Sequence, residues 1–227
     1  MSVDPLSFDF KLAEFDLSLL PVDVEMLKGN ETMMRSALEK HLAGVFERLP
    51  GERRITHHEN HISVTCLAET PLDMDSLMDL VMGLIRRRAF SQAETILRTL
   101  LVGYPDDRRV LFNLGSLLLE QGRFREAREV LNRLTRTAPD FAGGWNALGV
   151  ALSREGKRKA ASSAFQKSLS LDPENGHTLR NLGALLSGKD PQEALRYLKR
   201  AAKLLPGDQT VQYTWGKCLL DTGTPTG

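Results

Sequence analysis

The sequence predicts a mainly α fold, a stack of helix-turn-helix units set behind a small α+β module. Prolines at 105, 139, 173 and 206 are spaced 34, 34 and 33 residues apart, and glycines at 115, 149, 183 and 216 repeat the same spacings. Self-similarity at that length marks a helical array, because each unit is one supersecondary element that buries its face only on the next. Within a period the apolar residues recur three and four apart, as in Leu111, Leu114, Leu118 and then Ala127, Leu131, Leu134, with Gly122 between the runs. That is helical periodicity interrupted by one turn.

Residues 1–70 lack the period. Phe8, Phe10 and Leu12 alternate with Asp9 and Lys11, and Phe15, Leu17 and Leu19 alternate again, which is the two-residue beat of half-buried strands. Asn30 suits the N-cap of a helix reaching about Leu49, where Pro50-Gly51 stops it. ITHH and HISVTC then read as two short strands around Glu59-Asn60. The expected order is β, β, α, β, β.

In the repeats, Gly122 and Gly156 suit turns, since glycine takes positive φ at a helix end without a Cβ penalty. Gly115, Gly149 and Gly183 sit inside first helices, where glycine costs about 1 kcal/mol relative to Ala, so a close helix–helix approach is expected to offset that cost. Pro139 and Pro173 end their units. Residues 142–175 carry Trp145, Leu148, Gly149, Leu152, Gly156, Ala161, Phe165 and Pro173, and residues 108–141 carry Leu111, Leu114, Gly115, Leu118, Gly122, Ala127, Leu131 and Pro139. These units resemble tetratricopeptide repeats. Residues 176–208 follow, with Leu179, Leu182, Gly183 and Leu186, and lose one residue at the turn SGKDPQ. Residues 74–107 depart most, with Val81 at the small-residue position and Arg88 at the turn glycine. Residues 209–221, with Trp215, Gly216 and Leu219 in register, read as a closing helix, and 222–227 as a disordered tail. The resemblance implies a right-handed α-solenoid over 74–221.

Composition excludes several function classes. Of 227 residues, 30 are basic and 29 acidic, so the near-neutral chain has no long-range field favouring nucleic acid. The halves differ, with 7 basic and 12 acidic residues in 1–70 against 23 and 17 in 71–227, which permits attraction between them or between copies. Two cysteines, Cys66 and Cys218, lie outside any Cys-x-x-Cys spacing and suggest a reducing compartment without a disulfide framework. Asp4 and Asp9 stand where a secretory leader would be basic and then apolar. No apolar run approaches a membrane span, so the expectation is a cytoplasmic protein without membrane insertion. Phosphate-loop, dinucleotide and nucleophile-elbow motifs are missing, and no cofactor or catalytic residue is expected. His57, His58 and His61 form the one cluster with ligand chemistry. His58-Glu59-Asn60-His61 is one residue short of a zinc helix and falls at a hairpin, so an exposed tip is favoured over a metal site.

The remaining candidate is a binding groove. In the family that the repeats resemble, first helices line a concave face, which implies Met78 and Met82 in the first unit and Arg109, Phe112 and Asn113 in the second. Asn146, Val150 and Arg154 follow in the third, Arg180 and Asn181 in the fourth, and Tyr213 and Lys217 on the closing helix. Asn113, Asn146 and Asn181 suit an extended backbone because an amide both donates and accepts. The methionines suit apolar side chains, or else pack under the N-terminal module. The carboxylate grip of the family's chaperone-binding members is not matched, since Phe112, Ser116 and Ala147 stand at its positions. The sequence therefore points to a non-catalytic adaptor for a protein or peptide. The alternatives are a chaperone for a secreted or assembling subunit and a homo-oligomeric scaffold joined through the N-terminal arm FDFKLAEFDLSLL.

Overall fold

The computed structural model describes residues 6–11, 30–46, 52–58, 61–67 and 74–223. The second alternation, residues 15–19, and the tail 224–227 lie outside them. The chain divides into two units, residues 1–110 and 111–227.

In the first unit, strands β1 (Leu6–Lys11), β2 (Glu52–His57) and β3 (His61–Leu67) form an antiparallel sheet in the order β1-β3-β2. Val64 stands opposite both Phe8 and Ile55, and Ile62, opposite Phe10 and His57, is fully buried. Helix α1 (Glu31–Phe46) starts where Asn30 Oδ1 accepts from the Met33 amide at 3.1 Å, the side-chain bond of an N-cap. It buries Leu38 and Leu42, four residues apart on one face. Helices α2 (Met74–Arg86) and α3 (Phe90–Gly103) pair through Leu77, Val81 and Leu84 on one side and Ala93, Leu97 and Leu100 on the other. Helix α3 also packs on β1, and α1 contacts α3 and β3.

The turn from α2 to α3 closes as a Schellman motif, with the Arg88 amide donating to Ile85 O (2.9 Å) and the Ala89 amide to Leu84 O (2.9 Å). The same pair of bonds recurs at Gly122 and Gly156, whose φ values are 75° and 76°. Arg88 occupies that left-handed conformation at φ 57° with a side chain that crowds it. Arg88→Gly is therefore expected to raise the unfolding free energy by about 1 kcal/mol, read as a higher urea midpoint at unchanged slope.

Within residues 111–227 the repeat becomes a series of packed helix pairs. Helix α4 (Arg108–Glu120) crosses the division between the units, and α5 (Phe124–Thr137), α6 (Ala142–Arg154), α7 (Arg158–Leu171), α8 (Gly176–Leu186), α9 (Pro191–Leu204) and α10 (Gln209–Thr222) follow. A Cβ on Gly115, Gly149 or Gly183 would stand 2.5 Å from Leu131, 2.5 Å from Phe165 or 2.7 Å from Leu198, so the expected close approach is present in all three units. The core runs along the stack as successive clusters: Ala161 and Phe165 with Leu182 and Leu185, Leu179 with Ala201 and Val211, then Ala194 and Leu198 with Cys218. Each second helix thus serves its own first helix and the next one, as a solenoid requires. The shortened turn before α9 contains Gly188 but no residue at positive φ; Asp190 caps the helix by accepting from the Glu193 amide (2.9 Å) and Pro191 starts it. Among the described residues no helix is long and apolar enough to cross a membrane.

Candidate functional site

Three first helices, α6, α8 and α10, carry a connected line of polar side chains. The sequence places Asn146 one turn into α6 and Arg180 and Asn181 in the middle of α8. Asn181 Nδ2 donates to Asn146 Oδ1 at 3.0 Å, joining α6 to α8. Arg180 Nε donates to Asn181 Oδ1 at 3.4 Å, and its Nη1 reaches Asp208 Oδ2 at 2.7 Å. Asp208 is the N-cap of α10, its Oδ1 accepting from the Val211 amide at 3.0 Å. That backbone bond, followed by the Arg180 guanidinium, holds the Asp208 carboxyl below the usual carboxylate range. Both asparagines are half-buried, so their amides are oriented by the array and remain reachable from solvent.

The other expected groove residues separate into several settings. Tyr213 is 76% exposed on α10, and Lys217 is exposed one turn further along. Val150 packs beside Phe165 and belongs to the core margin. Phe112 is half-buried edge-on against Phe141, with ring centroids 5.2 Å apart at 79°. Asn113 is half-buried on α4. In the first unit, Met78 is buried and Met82 is 40% exposed. Arg109 there bridges Asp75 (2.6 Å) and Asp107 (3.3 Å).

Arg154 instead lines a depression of 430 Å³ beside the turns, with residues 122–126 and Glu155. Glu155, its side chain only 10% exposed, receives Lys157 Nζ at 2.5 Å and Arg128 Nε at 2.7 Å, and these two donors hold its carboxyl below the usual range. Arg123 is forked onto Glu126 at 2.7 and 2.6 Å. The acidic lining of this depression is thus matched by its own neighbours.

His57 Nε2 lies 3.4 Å from Glu39 Oε2 across to α1, and the His58 carbonyl accepts from Arg35 at 2.7 Å. The His61 side chain lies outside the described residues. Among the described residues no group of three His, Cys, Asp or Glu side chains comes together.

Asp208 is the member of the polar line that the groove positions did not supply. Its signal was an Asp directly before a helical run, the ordinary mark of an N-cap, and the bond to Arg180 adds a second duty to that cap.

A series of helix pairs with glycine at three successive crossings defines a helical-repeat protein. Tetratricopeptide-repeat family models match residues 67–149 and 142–175. Residues 67–175 therefore belong to the tetratricopeptide-repeat family. Solved structures with the same fold include PilF of Pseudomonas aeruginosa (21% identity, 66% of this chain and 68% of that one, TM-score 0.59). Another is a thermophilic TPR protein of Thermus thermophilus (19% identity, 66% and 83%, TM-score 0.58). YrrB, described as a TPR protein with an unusual peptide-binding site, aligns at 15% identity over 68% and 80%, with a TM-score of 0.54. No curated protein matches the chain in sequence.

Proposed function

We propose that the chain is a non-catalytic protein-interaction adaptor whose α6–α8 face, centred on Asn146 and Asn181, receives an extended segment of a partner protein. The bond between the two asparagines carries the reading. It uses one donor hydrogen of Asn181 and one acceptor site of Asn146, leaving the Asn146 Nδ2 group and remaining lone pairs on both oxygens for a ligand. An extended backbone offers N–H and C=O groups in alternation, which matches that pairing with little dependence on ligand side chains. Half-buried amides linked across two helices are also pre-organised, so less ordering is lost on binding. The fold shared with YrrB, which has a peptide-binding site, supports the same reading.

Arg180 does not serve as a ligand-only probe, because its guanidinium joins α8 to the cap of α10. The informative variant is Asn146→Ala with Asn181→Ala, which removes both members of the bonded pair and orphans neither. Partners are identified by affinity purification and mass spectrometry with the wild-type chain and then titrated against both proteins. The expected result is a dissociation constant weakened about tenfold or more, with a thermal midpoint near that of wild type. Equal binding by the double variant would refute the assignment.

A further inference from the structure

Positive charge is concentrated on the second helices of the repeats. Helices α5, α7 and α9 together hold eleven basic and three acidic residues, against a formal +1 for the whole chain. All three acids, Glu126, Glu129 and Glu193, fall in the N-terminal halves, so the C-terminal halves carry cations alone. There Arg133, Lys167 and Arg200 share one repeat position, Arg136 and Lys203 share another, and Lys199 adds a sixth charge. Arg136, Lys167, Lys199, Arg200 and Lys203 are exposed, and among the described residues no acidic side chain pairs with any of them. In the turns beyond, Asp172 accepts from Asn175 (3.0 Å) and Asp208 from Arg180 (2.7 Å), which leaves Asp140 and Glu174 to offset the band. A helix dipole favours a cation in the last turn, but Lys167, Lys199 and Arg200 precede that turn. Two exposed leucines stand at the end of the band. Leu171 (36% exposed) and Leu204 (40%) are the last residues of α7 and α9, four after Lys167 and Arg200.

We propose that the C-terminal halves of α5, α7 and α9 form a docking band for an anionic phospholipid bilayer, on which the chain lies peripherally with Leu171 and Leu204 at headgroup level. Charge complementarity selects the partner: clustered lysines and arginines beside apolar tips are what an acidic membrane surface attracts. The manner in which the cations are held agrees. Arg200 donates to Pro173 O (2.6 Å), but the side chains of Arg136, Lys167, Lys199 and Lys203 bond to no neighbour among the described residues. Long cations that nothing orients suit a fluid surface, which attracts each without fixed geometry, better than a protein face that needs matched hydrogen bonds. Nucleic acid would meet the cations but offers its phosphates nothing for the leucines, whereas a headgroup layer accepts both. The band belongs to second helices and shares no residue with Asn146 and Asn181 on the first helices α6 and α8.

Flotation of the full chain with vesicles tests the proposal, using phosphatidylcholine alone and phosphatidylcholine with about one part in three of phosphatidylserine. The chain is expected to float with the second kind only and to be released at high salt. Lys167→Gln with Lys203→Gln is expected to raise the lipid concentration at half-binding about tenfold or more, with a thermal midpoint near that of wild type because both side chains are exposed. Lys159→Gln with Lys189→Gln removes the same charge toward the other ends of α7 and α9 and is expected to have the smaller effect, since Lys159 lies about 12 Å before Lys167, roughly a Debye length. Leu171→Ser with Leu204→Ser is expected to weaken binding severalfold while its salt dependence stays as in wild type. Equal flotation with the two kinds of vesicle, equal effects of the two lysine pairs, or binding to a DNA duplex in place of the vesicles overturns the proposal. None of these results bears on partner binding at Asn146 and Asn181.

Discussion

Phe165→Ala is expected to destabilise the 111–227 unit by about 3–5 kcal/mol. Phe165 is 2% exposed and is the largest side chain in a cluster with Ala161, Leu182 and Leu185, so its removal opens a cavity where α6, α7 and α8 meet. The ring fills the gap above Gly149, whose Cβ would lie 2.5 Å from Cε1 and 2.6 Å from Cδ1. Gly149→Ala is therefore destabilising by about 1–3 kcal/mol, even though Ala is the better helix former by about 1 kcal/mol. Gly83→Ala supplies the contrast, since a Cβ there meets nothing within 4 Å, and a gain of about 0.5–1 kcal/mol is expected. Combining Gly149→Ala with Phe165→Leu should cost less than the sum of the two changes, because the smaller side chain vacates the space that the methyl needs. Both tryptophans, Trp145 and Trp215, lie in this unit, so fluorescence during urea unfolding reads it directly. Additive losses in the double variant would mean that Gly149 and Phe165 do not share that space.

This pair also shows which parts of the fold were legible in the sequence. A period of 34 residues specified the helix pairs, and glycine inside a helix signalled the crossings, since only a close neighbour compensates that residue type. Arg88 was recognisable as a misfit from its register alone, and its positive φ follows from the Schellman turn that the register demands. What remained hidden was lateral. Asn146 and Asn181 are 35 residues apart, one off the period, so their bond depends on the stagger between α6 and α8. Arg180 and Asp208 are separated by 28 residues and meet only because α10 starts beside the middle of α8. Phe112, expected in the groove, also meets Phe141 edge-on, a contact that an apolar side chain at a lining position does not signal. In the first unit the strand beat was visible, but the order β1-β3-β2 joins segments some fifty residues apart and has no local signature.

Thr178→Val is expected to cost about 1–3 kcal/mol, although it keeps the branched shape and changes no charge. Thr178 and Ser168 are both fully buried, and their hydroxyl oxygens are 3.0 Å apart at the joint between α7 and α8. Ser168 Oγ also donates to Ala142 O at 2.9 Å, and Thr178 Oγ1 to Asn175 Oδ1 at 2.9 Å. Two protons cannot make all three bonds at once. Asn175 Oδ1 already accepts from the Thr178 amide at 3.0 Å, so the arrangement that satisfies most groups sends the Thr178 proton to Ser168 and the Ser168 proton to Ala142 O. Valine at 178 deprives Ser168 Oγ of its donor in a site closed to water. Ser168→Ala should cost less, because Thr178 turns its proton to Asn175 and alanine is the better helix former. The double variant should lose less than the sum, since the contact removed is the same one. Because every member of this network is uncharged, the losses should be the same at low and high salt, whereas breaking the Arg180–Asp208 pair should matter less as salt rises. Unfolding titrations of the three variants at two ionic strengths check the argument, and a salt-dependent loss for Thr178→Val would contradict it.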